Sequence, residues 1–255
     1  MSYPTGSDLN NDSIVPPLGA RRPPDIGPVA VMVSCQPDIF LITANATRPK
    51  TLPFFTSTLM TSEGCHRGIC VVGPYIGAPY AVMLLESLIA RGASKIIVLG
   101  WCGAVTHGLS VGDLVLPSKA LVDEGTSRHY KNLSKDIPCS LPDKTLMDQL
   151  AGHLVDSNLE FQKTAIWTTD AIYRETLSKV EHFRQLGAKA VEMECSALFS
   201  VAEYRRVSIA AILIVSDSVA SKDWAPGFRK KQFKLARKNV CESVMTFAEK
   251  LCKNE

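Results

Sequence analysis

The chain has 255 residues, 46% of them hydrophobic and 21% charged, with 28 basic residues against 25 acidic ones. That length suits one α/β domain with a large sheet, and the composition is ordinary for a globular fold. The formal net charge of +3 is too small an excess to make nucleic acid a partner, and no apolar run reaches the ~20 residues that span a bilayer.

The polar start, Met1 to Asn11, has no basic stretch leading into an apolar one, so it does not read as a secretory signal. Residues 1–27 are rich in Pro, Asn, Asp and Gly, and Pro16-Pro17 and Pro23-Pro24 forbid a helix. They read as an extended arm, lying on the body or on a neighbour, ahead of a domain over residues 28–255. Val29–Val33 has strand character, as does Ile69–Val72. Ala78–Arg91 carries apolar residues at helical spacing, with Gly92 placed as its C-cap. Lys95–Leu99 reads as a buried strand entering a turn at Gly100-Trp101-Cys102-Gly103, and Leu114–Leu116 as a shorter strand stopped by Pro117. Leu146–Ser157 reads as a helix and Thr164–Thr168 as a strand. Ser178–Leu186 is helical and ends at Gly187, and Glu194–Arg205 is a helix after Ala190-Val191. Ile209–Val215 is the most apolar strand. A last helix, Phe228–Leu251, has one apolar stripe through Phe233, Ala236, Val240, Val244 and Phe247.

Apolar strands alternating with helices predict a three-layer α/β/α domain around a mixed, largely parallel sheet. The eight cysteines form no CxxC pair and no zinc-spaced cluster with His. They read as free, buried thiols of a cytoplasmic protein that holds no metal.

Ligands of such sheets sit beyond the carboxyl ends of strands, and three strand exits carry chemistry there. They are Gly73-Pro-Tyr-Ile-Gly-Ala-Pro79, then Gly100-Trp-Cys-Gly103 with Val111-Gly-Asp-Leu-Val-Leu-Pro117, and then Val191-Glu-Met-Glu-Cys-Ser-Ala-Leu198 followed by Ile214-Val-Ser-Asp-Ser218. In this order and spacing they resemble the nucleoside phosphorylase and nucleosidase superfamily, which includes the purine nucleoside and uridine phosphorylases. The resemblance runs over about residues 29–250.

A ribose presents two adjacent hydroxyls, and one carboxylate accepts from both. The resemblance gives that role to Glu194, with Glu192 and Met193 beside it and Gly103 on the neighbouring turn. Two acids here also suit a helix N-terminus. Asp217, at the end of the apolar strand, would hand a proton to the departing base. Asp at this place is the mark of the purine-cleaving members, and Arg229 stands where those relatives bring in an assisting Arg. Ile172 and Tyr173 match the segment that walls the base, where relatives have a stacking aromatic. Arg128 and His129 are candidates for a sugar 5′ group or an anion.

The inherited phosphate ligands are altered. Ile39 and Val98 stand where the family has Arg, and Trp101 replaces its hydroxyl residue. Gly100, Trp101 and a neighbouring subunit's Arg48 are the remaining candidates there, with Arg67, Arg128, His129 or Arg174 as substitutes from other loops. The resemblance implies phosphorolysis of a purine nucleoside in a homo-oligomer, dimer or hexamer, with phosphate as co-substrate and no cofactor. Hydrolysis by water is the alternative. A relative that binds nucleosides without cleaving them is another.

Overall fold

The structure, a computed structural model, describes residues 9, 13–17, 26–44, 50–61, 68–133 and 136–253. The elements run β1 (Val29–Val33), α1 (Gln36–Thr43), β2 (Lys50–Phe54), β3 (Ser57–Thr61), β4 (Ile69–Gly73), α2 (Ala78–Ile89), β5 (Lys95–Ala104) and β6 (Leu114–Asp123). They continue with β7 (Cys139–Ser140), α3 (Lys144–Asp156), β8 (Phe161–Thr169), α4 (Leu177–Gln185), β9 (Ala188–Glu192), α5 (Cys195–Arg205), β10 (Ser208–Ser218), β11 (Ala225–Pro226) and α6 (Lys231–Lys253).

The strands among the described residues belong to one mixed sheet, in the order β11-β10-β6-β8-β9-β5-β1-β4-β3-β2 with β7 beside β6. β10 pairs with β5 as well as β6, so β5, β10, β6, β8 and β9 close on themselves. β5 serves two neighbours in succession. Its first half pairs with β1, and Gly103 and Ala104 pair with Val191 and Ala190 of β9. Apolar side chains cover both faces. One cluster joins the sheet to α2 and α5 and includes Leu85 and Phe199. The other joins it to α1, α3 and α6 and includes Ile39, Leu150 and Phe233. These are the three layers expected from the alternating pattern.

Three local readings are corrected. Gly100–Gly103 is not a turn, because β5 runs through it to Ala104. The continuation is possible because β10 pairs alongside through Gly103 and Ala104. Pro117 does not end β6, which continues to Asp123 across a register shift between Pro117 and Lys119 on the β8 side. That irregularity is what lets a residue without an N–H sit within a strand. The last helix starts at Lys231, after a turn at Phe228 and Arg229. Short α1, β2 and β3 have no counterpart in the periodicity reading. Pro53 fits because β2 is the sheet edge.

Most of the arm 1–27 lies outside the described residues. Two of its carbonyls meet the body: Leu9 accepts from the Tyr204 hydroxyl at 2.9 Å, and Pro17 from Ser87 Oγ at 3.2 Å. The described cysteines are free, and Cys70, Cys102, Cys195 and Cys241 are buried. Among the described residues no helix is long and apolar enough to cross a membrane.

Candidate active site

The closed half of the sheet brings the acidic residues together. Thr168 of β8 pairs with Glu192, the last residue of β9, and Val191 lies across from Gly103 of β5. Gly103 in turn pairs with Asp217 of β10. A Cβ on Gly103 would stand 3.3 Å from Val191 Cγ1 and 3.4 Å from Asp217 Oδ2. Glycine at this position leaves room on β5 for the Val191 and Asp217 side chains of its two neighbours, β9 and β10. The buried Cys102 thiol beneath is raised by its withdrawal from water and by the charges of Glu192 and Asp217 together.

The two glutamates do different work. Glu192 is buried, and both of its oxygens are occupied. Oε1 accepts from the Thr168 hydroxyl, and Oε2 from the N–H groups of Glu194 and Cys195, each at 2.8 Å. It caps the start of α5, as the helix-start reading has it, with both oxygens engaged. Thr168 Oγ1 accepts from Ser196 N at 3.1 Å, and Ser196 Oγ donates to the buried Glu124 at 3.0 Å, which locks the helix end in place.

Glu194, the residue before α5, is half-buried and accepts the Gly77 N–H at 2.6 Å on Oε1. Gly77 has φ +84° and opens α2 after the Gly73–Gly77 turn, so this bond ties two of the strand exits together. Loss of solvent and the charge of Glu192 push the Glu194 carboxyl up to about 8. Its neighbours include the buried Tyr75 hydroxyl, raised by burial first and then by Glu194. The Cys35 thiol beyond β1 is likewise pushed up to about 12, mainly by burial. Met193 is half-buried beside it.

Asp217 is half-buried. Ser216 Oγ donates to its Oδ1 at 2.6 Å and Trp224 Nε1 to its Oδ2 at 2.7 Å. Glu175, just past Ile172 and Tyr173, is half-buried with no hydrogen-bonding partner for its carboxyl among the described residues. Desolvation first, and Asp217 second, push that carboxyl up to about 7. Neither Trp224 nor Glu175 is marked by a motif. Each reaches the site from a loop, by a fold-back no local pattern reveals.

The corner where the resemblance expects phosphate ligands is filled from within. Asp38 of α1 is fully buried. It accepts from Trp101 Nε1 at 2.6 Å and from Arg237 Nε at 2.5 Å. The Arg237 guanidinium lies over the Trp101 ring, 5.0 Å from its centroid. Trp101 has one N–H, and it is spent on Asp38, so the indole does not donate to a phosphate. Ile39 and Val98 are core residues. Gly100 is inside β5 against Ser34, whose Oγ would be 3.1 Å from a Cβ at this position.

The other candidates stand further out. Arg128 and His129 lie on a short 3-10 turn, exposed. Arg229 is exposed, with no partner among the described residues and none of the contacts to Asp217 that Trp224 makes. Ile172 is 52% exposed and Tyr173 97% exposed, so Tyr173 walls nothing within this chain. Arg48 and Arg67 lie outside the described residues.

The sequence profile of the Phosphorylase superfamily matches residues 28–249. A guanosine phosphorylase of Halorubrum lacusprofundi is 30% identical over 159 residues, a stretch covering 62% of this chain and 64% of that protein. The match therefore spans just under two thirds of that relative's length. Among solved structures, the purine nucleoside phosphorylase of Toxoplasma gondii in complex with immucillin-H superposes with a TM-score of 0.78 at 19% identity, over 91% of this chain and 94% of that one. An AMP nucleosidase from Bacteroides thetaiotaomicron superposes with a TM-score of 0.71 at 20% identity, over 91% of each. At those identities the structural likeness speaks for the fold.

Proposed function

The chain belongs to the phosphorylase superfamily, and from that membership we propose that it cleaves the N-glycosidic bond of a purine nucleoside, with inorganic phosphate as the attacking group. The observation that carries the reading is the convergence at Gly103. A carboxylate for the sugar hydroxyls, Glu194, and an acid for the base, Asp217, follow two strands, β9 and β10, that both pair with β5 at Gly103. As the C–N bond lengthens, the sugar becomes oxocarbenium-like. Glu194 holds its 2′ and 3′ hydroxyls, Asp217 protonates the leaving base, and the nucleophile takes the anomeric carbon. Phosphate as nucleophile rests on the likeness to a guanosine phosphorylase. Its ligands would be cations from outside the inherited corner, Arg128 with His129 or a second subunit's Arg48.

A second reading, hydrolysis, is favoured by one specific feature. Asp38, Trp101 and Arg237 satisfy one another where phosphate ligands would stand. Two lost bidentate contacts, at ~1.5–3 kcal/mol each, weaken an anion by about 10²–10⁴-fold unless they are rebuilt. A panel of nucleosides assayed with and without phosphate separates the readings. Ribose 1-phosphate and a rate that collapses without phosphate are expected. Free ribose at an undiminished rate makes the enzyme a hydrolase, and binding without turnover of any nucleoside makes it a non-catalytic relative.

The reading includes a homo-oligomer, a dimer or hexamer in the cytoplasm, because an anion site rebuilt through Arg48 needs a second copy. Light scattering is expected to give a multiple of 27.8 kDa. A fully active monomer would refute the shared site.

A further inference from the structure

The residue that bonds Asp217 from the solvent side is Trp224, and its placement is specific. β10 and β11 form an antiparallel ribbon in which Asp217 pairs with Pro226 and Ser218 with Ala225. The chain leaves at Ser218, loops through 219–224 and returns past Asp217. Two loop contacts fix this path: Val219 N–H donates to Ala104 O at 2.9 Å, and Ala220 N–H to Ser218 Oγ at 3.2 Å. Trp224, the last residue of the loop, is thereby set beside the carboxylate.

Its ring ends an aromatic ladder. Fully buried Phe233 meets Trp101 edge-on at 5.0 Å, Trp101 meets Phe228 at 6.0 Å, and Phe228 meets Trp224 at 6.1 Å. The ladder is anchored in the core and emerges at the site, where Trp224 is 60% exposed. An indole buries some 150–250 Å² when covered, so this one leaves a large flat apolar surface facing water beside a polar acid.

The two oxygens of Asp217 are held unequally. Ser216 has one hydroxyl proton, and Oδ1 of Asp217 at 2.6 Å competes for it with Cys102 O at 3.2 Å. Trp224 Nε1–H is a donor only and serves Oδ2 alone among the described residues. The indole is thus the firmer restraint on the carboxyl plane. Meanwhile the place where the family pattern puts a stacking aromatic carries Ile172, and exposed Tyr173 does not supply the ring.

We propose that Trp224 is a base-contacting and acid-positioning residue. Its N–H sets the plane of the Asp217 carboxyl, and its ring is the surface on which the purine lies. The proposal rests on the reading of Asp217 as the acid that serves the base. A flat aromatic base approaching Asp217 from solvent meets this ring, which favours a bicyclic purine over a smaller pyrimidine because more area stacks.

Three variants divide the two roles. Trp224→Phe keeps a ring and removes the donor, so kcat is expected to fall ~10-fold with KM little changed, the scale of one lost hydrogen bond to a charged group. Trp224→Gln keeps an amide donor and removes the ring, so KM is expected to rise ~5–150-fold, the range for one lost base stack, with kcat better preserved than in Phe. Trp224→Ala loses both. Quenching of tryptophan emission by free hypoxanthine and guanine provides a readout independent of turnover, strong in the wild type and lost in Trp224→Phe. Purine nucleoside turnover with kcat and KM within about twofold of wild type in all three variants overturns the proposal and leaves the function standing. A wild-type protein that neither turns over nucleosides nor binds purine bases overturns both.

Discussion

Asp217→Asn is expected to cut purine nucleoside turnover by ~10²–10⁴-fold while leaving the fold intact, the usual reach of one general acid. The fold should survive because the amide fits the same partners. Its oxygen accepts from Trp224 Nε1, and its NH2 donates to Ser216 Oγ, whose own proton turns to Cys102 O. What is lost is the ability to carry a proton to the base nitrogen as the C–N bond breaks, worth about 2.7–5.5 kcal/mol of barrier over that range. Thermal unfolding and circular dichroism check the fold, and steady-state kinetics with a purine nucleoside check the loss. Full activity in this variant, with an unchanged pH profile, would remove Asp217 from the mechanism. A substrate with an activated leaving group, which needs less help from an acid, should lose much less.

The layered α/β architecture was legible because β1, β4, β5 and β10 are apolar runs and α2, α3 and α6 keep helical spacing. Those are long, periodic signals. What escaped was set by pairing partners. β5 continues through Gly100–Gly103 because β10 and β9 offer it hydrogen bonds there, and a glycine-rich tetrapeptide read without those neighbours resembles a turn. Pro117 passes for a strand stop until a register shift on the β8 side accommodates it. The closure of five strands on themselves leaves no trace in periodicity, since each strand still reads as an ordinary buried run.

The sequence reading of the site rests on motifs: Glu194 and Asp217 come from Val-Glu-Met-Glu and Val-Ser-Asp, and Gly103 from Gly-Trp-Cys-Gly. Glu192 and Glu194 look alike in sequence. Which one faces the α5 amides and which faces Gly77 is decided by one residue of strand against one residue of cap. Trp101 was expected near phosphate. Its hydrogen bond to Asp38 depends on Arg237, which is 199 positions away along the chain from Asp38. No local reading pairs those three residues.

Replacing Glu194 should act on catalysis and on the pH dependence of stability at once. The Gly77 N–H binds one of its oxygens, Oε1, at 2.6 Å, and a carboxylate has acceptor sites for further donors. In Glu194→Ala, kcat/KM for ribonucleosides is expected to fall by roughly 2–4 kcal/mol, about 30–1,000-fold, the scale of lost charge-assisted contacts from two sugar hydroxyls. A 2′-deoxynucleoside offers one donor fewer, so its loss should be smaller. This carboxyl is pushed up to about 8. Hydroxyl donors favour its ionised form, so nucleoside binding near neutral pH should release a proton, visible as a buffer-dependent heat in calorimetry and absent in Glu194→Gln. The stability linkage has a definite sign. A carboxyl raised from 4.5 to about 8 contributes fully below its unfolded value, and that contribution is lost as pH rises through the folded one. Glu175, raised from 4.5 to about 7, acts in the same direction over a lower window. These two groups therefore predict a melting temperature that declines from about pH 5 to pH 9, by several degrees for a few kcal/mol. Glu194→Gln cannot ionise and should flatten the upper part of that decline, leaving the lower part due to Glu175. If Glu194→Ala instead changed only stability and left the kinetics of the folded enzyme intact, Glu194 would be a helix-start residue like Glu192, and the sugar would have to be held elsewhere.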